Sequence, residues 1–514
     1  MNAVENSREQ EMKQQEPAGG AAANNKIVNG SIVGQLLLFF FPILFGTFFQ
    51  QLYNTADAMV VGRFVGKEAL AAVGGSTSSL INLLVGFFVG LSSGATVVIS
   101  QYYGAGKADK VHWAVHTSVA FSILGGLVMM AIGIIGAKPA LMAMRTPDDV
   151  MSHSMIYLRI YFIGTVANLL YNMGAGILRA IGDSKRPLYF LIISCFVNIA
   201  LDLFFVVFLR MGVAGAALAT IMSQCVSAIM VTACLMRARD IYRLEWKMVR
   251  IDRRMLRRIV RIGLPAGMQS VMYNVSNVII QTGVNTLGTD NVTAWATYSK
   301  VDGLFWMMIS ALGISATTFV GQNYGAGRID RVRKGAGACM GIGVALTAIV
   351  GTALYFGGYL LVDLFTSDQE VRRISMELLY FMVPCFITYI AIEVLSGTLR
   401  GVGDAWMPLV ITGIGICAVR VLWIIVALPL RPHILTAAFS YPLTWTITSL
   451  AFVVYYLSLI HISREEIYNP ESRLYVDEAP LYPDVRTAVE MIHRSGGIAF
   501  LAHLYIYALS LIHI

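Results

Sequence analysis

Charge is scarce in this sequence: Asp, Glu, Lys and Arg make up 13% of its 514 residues, about half the share found in a soluble globular chain. A water-soluble enzyme of this length is thereby excluded. Cysteine is sparse as well. The six present, Cys195, Cys225, Cys234, Cys339, Cys385 and Cys417, all lie within apolar segments and share no metal-ligand spacing, so they read as small core residues. Strand-length alternation of apolar and polar residues is missing, which argues against an outer-membrane barrel. The first 30 residues are polar and rich in Gln, Ala and Asn, with no charged start followed by a short apolar core and a small-residue cleavage site, and read as a disordered cytoplasmic tail over 1–31, not a signal peptide. The net charge of +8 is lodged in short connections between apolar runs, so membrane orientation explains it better than nucleic acid does.

What the chain has in abundance is apolar length. Hydrophobic residues make up 57% of it, and the mean hydropathy is +0.67. They fall in runs of about 20 to 25, enough to cross a hydrocarbon core of about 30 Å as helices. Such runs lie near 32–61, 80–101, 112–137, 154–178, 188–209 and 213–236, and again near 262–285, 294–320, 336–362, 374–398, 407–429 and 435–459. The reading is an all-α membrane protein of twelve transmembrane helices, with an N-lobe over 32–236 and a C-lobe over 262–459. Between them, 237–261 carries ten Lys and Arg against three acids and is read as a cytoplasmic linker. Lys107, Lys110, Lys185, Arg186, Arg328 and Arg331 fall on the same side as that linker, which places both ends of the helical body inside.

Two motifs recur at one offset. Gln101-Tyr-Tyr-Gly-Ala-Gly-Lys107 returns as Gln322-Asn-Tyr-Gly-Ala-Gly-Arg328, and Leu178-Arg-Ala-Ile-Gly-Asp183 as Leu399-Arg-Gly-Val-Gly-Asp404, each 221 residues later. A shared offset in polar motifs indicates duplication. Six spans per copy is even, so both copies enter the membrane in one direction, and a pseudo-two-fold along the membrane normal relates two six-helix bundles. The Gly-Ala-Gly turns follow membrane spans and read as tight cytoplasmic turns, not phosphate loops.

Ionised side chains at bilayer depth are costly and mark candidate sites. The first copy has Asp57, and Asn198 with Asp202 one helical turn apart; Thr220 lies on the next span, folded back beside them. This set offers only oxygen ligands, which suit a hard cation or a proton. Asp57 and Asp202 are alternatively structural groups bonded to neighbours such as Tyr53 and Asn54, and Thr220 alternatively bonds back to its own helix. In the second copy Asn198 and Asp202 map onto Val419 and Trp423, and Asn172 onto Glu393. Lys300 with Asp302, and Arg420 with Asp302 or Glu393, are expected as neutralising pairs, with Glu393 and Asp302 alternatively meeting substrate or ion. Met173, Met268, Met272, Tyr273, Phe305, Trp306 and Met307 are candidate substrate contacts.

Over about residues 31–459 the chain resembles the multidrug and toxic compound extrusion (MATE) family of the multidrug/oligosaccharidyl-lipid/polysaccharide flippase superfamily. The resemblance rests on Pro42, Gln50, Tyr53 and Asp57 and on both paired motifs. It implies a prokaryotic inner-membrane antiporter that exports amphipathic cationic drugs against Na+ or H+, without further cofactor and as a monomer. Its cation site would be Asp57, Asn198, Asp202 and Thr220, supported by Gln50, Tyr53 and Asn172, with Ala175 where a polar residue is often found. The N-lobe acids resemble DinF-like members, whereas Glu393 resembles an acid of NorM-like members. A lipid-linked oligosaccharide or lipid-precursor flippase is the alternative; it would need a cavity rich in cationic side chains.

The tail over 460–514 is foreign to this pattern. Leu457-Ser-Leu-Ile-His-Ile462 reappears as Leu509-Ser-Leu-Ile-His-Ile514, which suggests a joining artefact. Between the copies, 488–503 resembles a fragment of a PHP phosphoesterase, in which His503 would ligate metal. About 45 residues are too few for such a site and its core, so no enzymatic activity is expected.

Overall fold

The computed structural model describes residues 25–460 apart from Arg145, and all its regular secondary structure is helical. All but the first residue of the tail read over 460–514, with its phosphoesterase-like stretch and His503, lies outside the described residues, as does the expected polar tail before Asn25.

The first half comprises α1 (Ile32–Phe64), α2 (Ser76–Gly104, preceded by a short helix Lys67–Gly74), α3 (Ala108–Ala143), α4 (Asp148–Ile163 and Thr165–Ala180), α5 (Lys185–Asp202, continued by a π-helical turn Leu203–Phe208) and α6 (Gly212–Met236). The second comprises α7 (Arg253–Asn285), α8 (Thr289–Gly325), α9 (Ile329–Asp363), α10 (Gln369–Met382, a 3-10 stretch Val383–Tyr389, then Ile390–Val402), α11 (Trp406–Thr412, a π-helical turn Gly413–Ala418, then Val419–Leu430) and α12 (Ile434–Ile460). Helix ends follow the motif offset: Ile32 and Arg253, Phe64 and Asn285, and Gly104 and Gly325 are each 221 residues apart.

Among the described residues, ten helices are long and apolar enough to span a bilayer, and an eleventh span results from α4, whose two pieces are bent by 49°. The twelfth expected span, α7, has the length but is interrupted by Gln269, Ser270, Asn274, Asn277 and Gln281. Those residues line a cavity, where they cost no burial in lipid. It also begins at Arg253, inside the segment read as linker, because Asp252 caps it by accepting from the Arg254 and Met255 amides at 3.0 and 2.8 Å. The rest of that linker is strapped to α3: the Glu245 amide donates to His116 Nε2 at 3.0 Å, and Arg250 stacks on Trp113 at 4.3 Å.

The Leu-Arg-x-x-Gly-Asp repeat is a helix stop and restart. Gly182 and Gly403 adopt φ of 98° and 103°. The following Asp183 and Asp404 amides reach back to the Leu178 and Leu399 carbonyls at 2.9 Å, the Schellman arrangement that favours glycine. The two aspartates then accept from the first amides of α5 and α11.

Each half sends its first helix across to the other. α1 packs on α8 and α9 as well as α5, and α7 packs on α2 and α3 as well as α11. The halves are therefore one unit through Phe452 and not two separate bodies. The α2–α7 crossing is a glycine seam: a Cβ on Gly90 would stand 2.6 Å from the Gly267 Cα, and one on Gly94 would stand 2.5 Å from the Gly263 amide nitrogen. Because backbone lies opposite, no rotamer change relieves the clash. Gly94→Leu is expected to cost more than the roughly 1–3 kcal/mol of ordinary overpacking. Loss of a monodisperse peak after mild heating in detergent checks this, and an unchanged melting profile would refute it.

Candidate functional site

The polar cluster of the first half is assembled from four helices. α5 is held to α6 by the Ser194 hydroxyl, which donates to the Ser223 carbonyl at 2.8 Å. α1 packs against α5, and α4 against α6. This places Asp57 of α1 against Asp202 of α5, with the Tyr157 hydroxyl of α4 beside Asp57 and Thr220. Asn198 and Asp202 are fully buried, and Asp57 and Thr220 nearly so. Asp202 stands where α5 widens into its π-helical turn, a local irregularity common at functional sites.

Asp57 Oδ1, both carboxylate oxygens of Asp202 and both polar atoms of Asn198 are buried without a hydrogen-bond partner among the described residues. Buried polar atoms are ordinarily satisfied, so a concentration of orphaned oxygens fits a hard cation or a shared proton. Thr220 donates to the Ala216 carbonyl at 3.0 Å, the back-bonded alternative of the sequence. Tyr53 contacts Gln50 and lies near Asp57, whereas Asn172 bonds to Asn168 at 2.9 Å. Tyr157, Tyr161 and Gln224 were not singled out from sequence. Their signal was i,i+4 spacing, Tyr157 to Tyr161 on α4 and Thr220 to Gln224 on α6.

Beside this cluster, between the halves, lies a cavity of about 950 Å³. Gln50 and Thr47 reach it from α1, and the polar face of α7 forms another wall. Tyr273, Asp302 and Glu393 line it; Met268 does not, being 40% exposed on the outer surface of α7. Trp306 and Met307 also line it, whereas Met173 and Phe305 are core, Phe305 stacking on Phe386 at 4.1 Å.

The expected neutralising pairs do not form. Lys300 and Asp302, two residues apart on one helix, point differently: Lys300 is exposed, and Asp302 accepts from Trp306 Nε1 at 3.1 Å. Arg420 makes no ion pair among the described residues; it donates to Thr444 at 3.1 Å and lies over the Tyr441 ring at 4.1 Å. Glu393 instead faces Arg400 at 3.9 Å and Tyr389 at 3.4 Å. Arg179 and Arg400 also line the cavity and were not recognised as site residues from sequence, although both belong to the repeated motif.

The other repeated motif closes one end of the cavity. Gln101 Nε2 donates to the Gly401 carbonyl at 2.9 Å, and Gln322 Nε2 to the Ala180 carbonyl at 2.6 Å. Donors and acceptors are both related by the 221-residue offset, so one bond is the two-fold image of the other. Gln101 Oε1 accepts from Arg258 at 3.1 Å and Gln322 Oε1 from Asn25 at 2.9 Å. Asn25 caps a short helix, Lys26–Asn29, and Ile27 and Val28 are buried. This overturns the reading of 1–31 as disordered throughout: 25–31 is anchored by Asn25 and by Arg331, which donates to the Ile27 and Gly30 carbonyls at 3.1 and 2.7 Å.

The MatE family model matches residues 42–204 and 265–426. The chain is similar to the probable multidrug resistance protein YoeA of Bacillus subtilis, with 28% identity over 83% of this chain and 94% of that protein. It is also similar to the probable multidrug resistance protein NorM of Thermotoga maritima, with 26% identity over 72% of this chain and 80% of the relative. Among solved structures, an outward-facing multidrug resistance MATE family transporter of the MOP superfamily matches with a TM-score of 0.80 and 20% identity, over 85% of this chain and 98% of the other.

Proposed function

The chain belongs to the MatE family, and from that premise we propose that it is a secondary active multidrug efflux transporter, exchanging amphipathic small molecules, organic cations among them, against sodium ions or protons. The observation that carries this reading is the cavity of about 950 Å³ between pseudo-symmetric halves, sealed at one end by the reciprocal Gln101 and Gln322 bonds. A duplicated scaffold with a closure on its two-fold suits alternating access, in which rocking of the halves opens one end as it closes the other.

The sealed end is the cytoplasmic one. It carries Lys107, Lys110, Arg328 and Arg331 and is continuous with the strapped basic segment 237–252, and the excess of basic residues on short loops orients a span toward the cytoplasm. The structure is then the outward state of the cycle in a prokaryotic inner membrane. Asp302, beside Trp306 and Tyr298, supplies the wall on which an organic cation rests, by ionic and cation–π attraction together. The Asp57, Asn198, Asp202 and Thr220 cluster lies behind α1 and holds the driving ion.

Proteoliposomes given a sodium or a proton gradient separately are expected to move a fluorescent organic cation several-fold faster under at least one gradient than under neither. If neither gradient drives transport, the reading fails.

A further inference from the structure

Arg179 and Arg400 occupy equivalent places in the two halves, 221 residues apart, and both line the central cavity. Each immediately precedes the residue whose carbonyl accepts the bond from the opposite half, Ala180 or Gly401, so both stand at the sealed floor. Thr96 and Thr317, another equivalent pair, line the same floor. Arg420 lines the wall and is only 2% exposed.

These guanidinium groups lack sufficient partners. The Nε atoms of Arg179, Arg400 and Arg420 are buried without a hydrogen bond among the described residues. Arg179 and Arg420 have no ion pair there, and the only carboxylate facing Arg400 is Glu393 at 3.9 Å, beyond hydrogen-bond reach. The cavity wall thus holds three arginines against two acids, Asp302 and Glu393. A buried cation without a counter-ion costs several kcal/mol. Helix packing explains neither arginine of the floor, since the Gly182 and Gly403 stops and the Asp183 and Asp404 caps form from backbone and carboxylate alone.

We infer that this floor is a binding site for an oxoanion, a carboxylate, sulfonate or phosphate group carried by an amphipathic molecule whose apolar body lies against Tyr273, Trp306 and Trp445. Planar guanidinium forks match such groups bidentately, and two forks related by a two-fold clamp one anion between them. The cavity then has two poles, an arginine floor for oxoanions and the Asp302 wall for cations, and takes a class of substrate that an acid-lined cavity rejects. The inference rests on the cavity being the transport path.

Matched probes test it: 2-naphthylacetate and 2-naphthylmethyl-trimethylammonium, measured by equilibrium dialysis against the full chain in a neutral detergent. The carboxylate is expected to lose about 30-fold in affinity in the Arg179→Gln/Arg400→Gln variant, and only about threefold to tenfold in the Arg→Lys pair, which keeps charge but not the fork. Asp302→Asn is expected to weaken the ammonium probe and leave the carboxylate unweakened. Recovery of carboxylate binding in the Lys pair separates a lost site from a misfolded protein. Repeating the dialysis in nanodiscs identifies the source of the anion: if phosphatidylglycerol, compared with phosphatidylcholine alone, competes with the carboxylate in the wild type, the floor takes lipid headgroups. Absence of competition, with the arginine dependence intact, assigns it to soluble amphipathic anions. Equal carboxylate affinity in wild type and the Gln pair overturns the inference. Because dialysis needs no gradient, failure of efflux leaves this result standing. Conversely, gradient-driven export of a cation with no carboxylate binding sinks the inference alone.

Discussion

Asp202→Asn and Asp57→Asn are each expected to reduce gradient-driven export in proteoliposomes by about 100-fold or more, while the purified protein keeps its monodisperse profile. Asn has nearly the shape of Asp and fits the same space, so packing is preserved. What is lost is charge and the ability to carry a proton. In the wild type two buried carboxylates lie close enough to interact, with Asp202 fully buried and three of their oxygens without a hydrogen-bond partner among the described residues. Both cannot stay ionised there without a cation between them, and otherwise one must hold a proton; in the proposed antiport that requirement couples the pocket to an ion gradient. One carboxylate replaced by an amide removes the requirement, so the halves rock without the ion being counted. Thr220→Val is expected to cost much less, under about tenfold, because its hydroxyl already donates to the Ala216 carbonyl and only a lone pair faces the pocket. Transport rates under separate sodium and proton gradients measure all three variants. Full coupled activity in both aspartate variants would remove the pocket from the mechanism.

How far the sequence discloses this arrangement depends on the range of the interactions that make it. The duplication was legible because polar motifs at one offset do not arise in apolar sequence by composition, and both ends of α1 and α7 and the C-terminal ends of α2 and α8 obey that offset residue for residue. The buried oxygen cluster was legible because each member is an expensive residue within an apolar run. Tyr157 was not, since a tyrosine in a helix is unremarkable until its hydroxyl is seen beside Asp57. Apolar runs mark where lipid touches a helix and not where the helix begins, so the charged first turns of α7 were assigned to the linker. The π-helical turns fall at Leu203–Phe208 in one half and Gly413–Ala418 in the other, which are not equivalent positions. Nothing in the motifs announces them. The contacts of Gln101 with Gly401 and Gln322 with Ala180 span 300 and 142 residues. Such partners are specified by assembly of the whole fold, so the motifs could be read as turns but not as a closure.

That closure makes Gly104 and Gly325 the most sensitive positions for the conformational cycle. A Cβ on Gly325 would stand 2.6 Å from the Gln101 carbonyl carbon, and one on Gly104 would stand 2.7 Å from that of Gln322. In each case backbone of the opposite half blocks it, so a larger residue prevents this end, the cytoplasmic one in the proposed orientation, from sealing without touching either half alone. Gly325→Leu is therefore expected to fold, to lose about 100-fold in transport, and to rest with its cytoplasmic end open. The glutamines set the scale for comparison. Each cross-half hydrogen bond contributes about 1 kcal/mol, so Gln101→Ala or Gln322→Ala shifts the balance of states by about five- to tenfold and slows turnover modestly. The glycine change removes the sealed state altogether, because no population of it avoids the overlap. With the six native cysteines replaced, Ser93→Cys on the cavity wall reports the difference through a membrane-impermeant maleimide applied from the cytoplasmic side. Labelling is expected to be slow in the otherwise unchanged protein, somewhat faster in Gln322→Ala, and fast in Gly325→Leu. If Gly325→Leu labels as slowly as its parent and still transports, the α2–α8 contact does not seal the cavity during the cycle, and the repeated motif is only a turn.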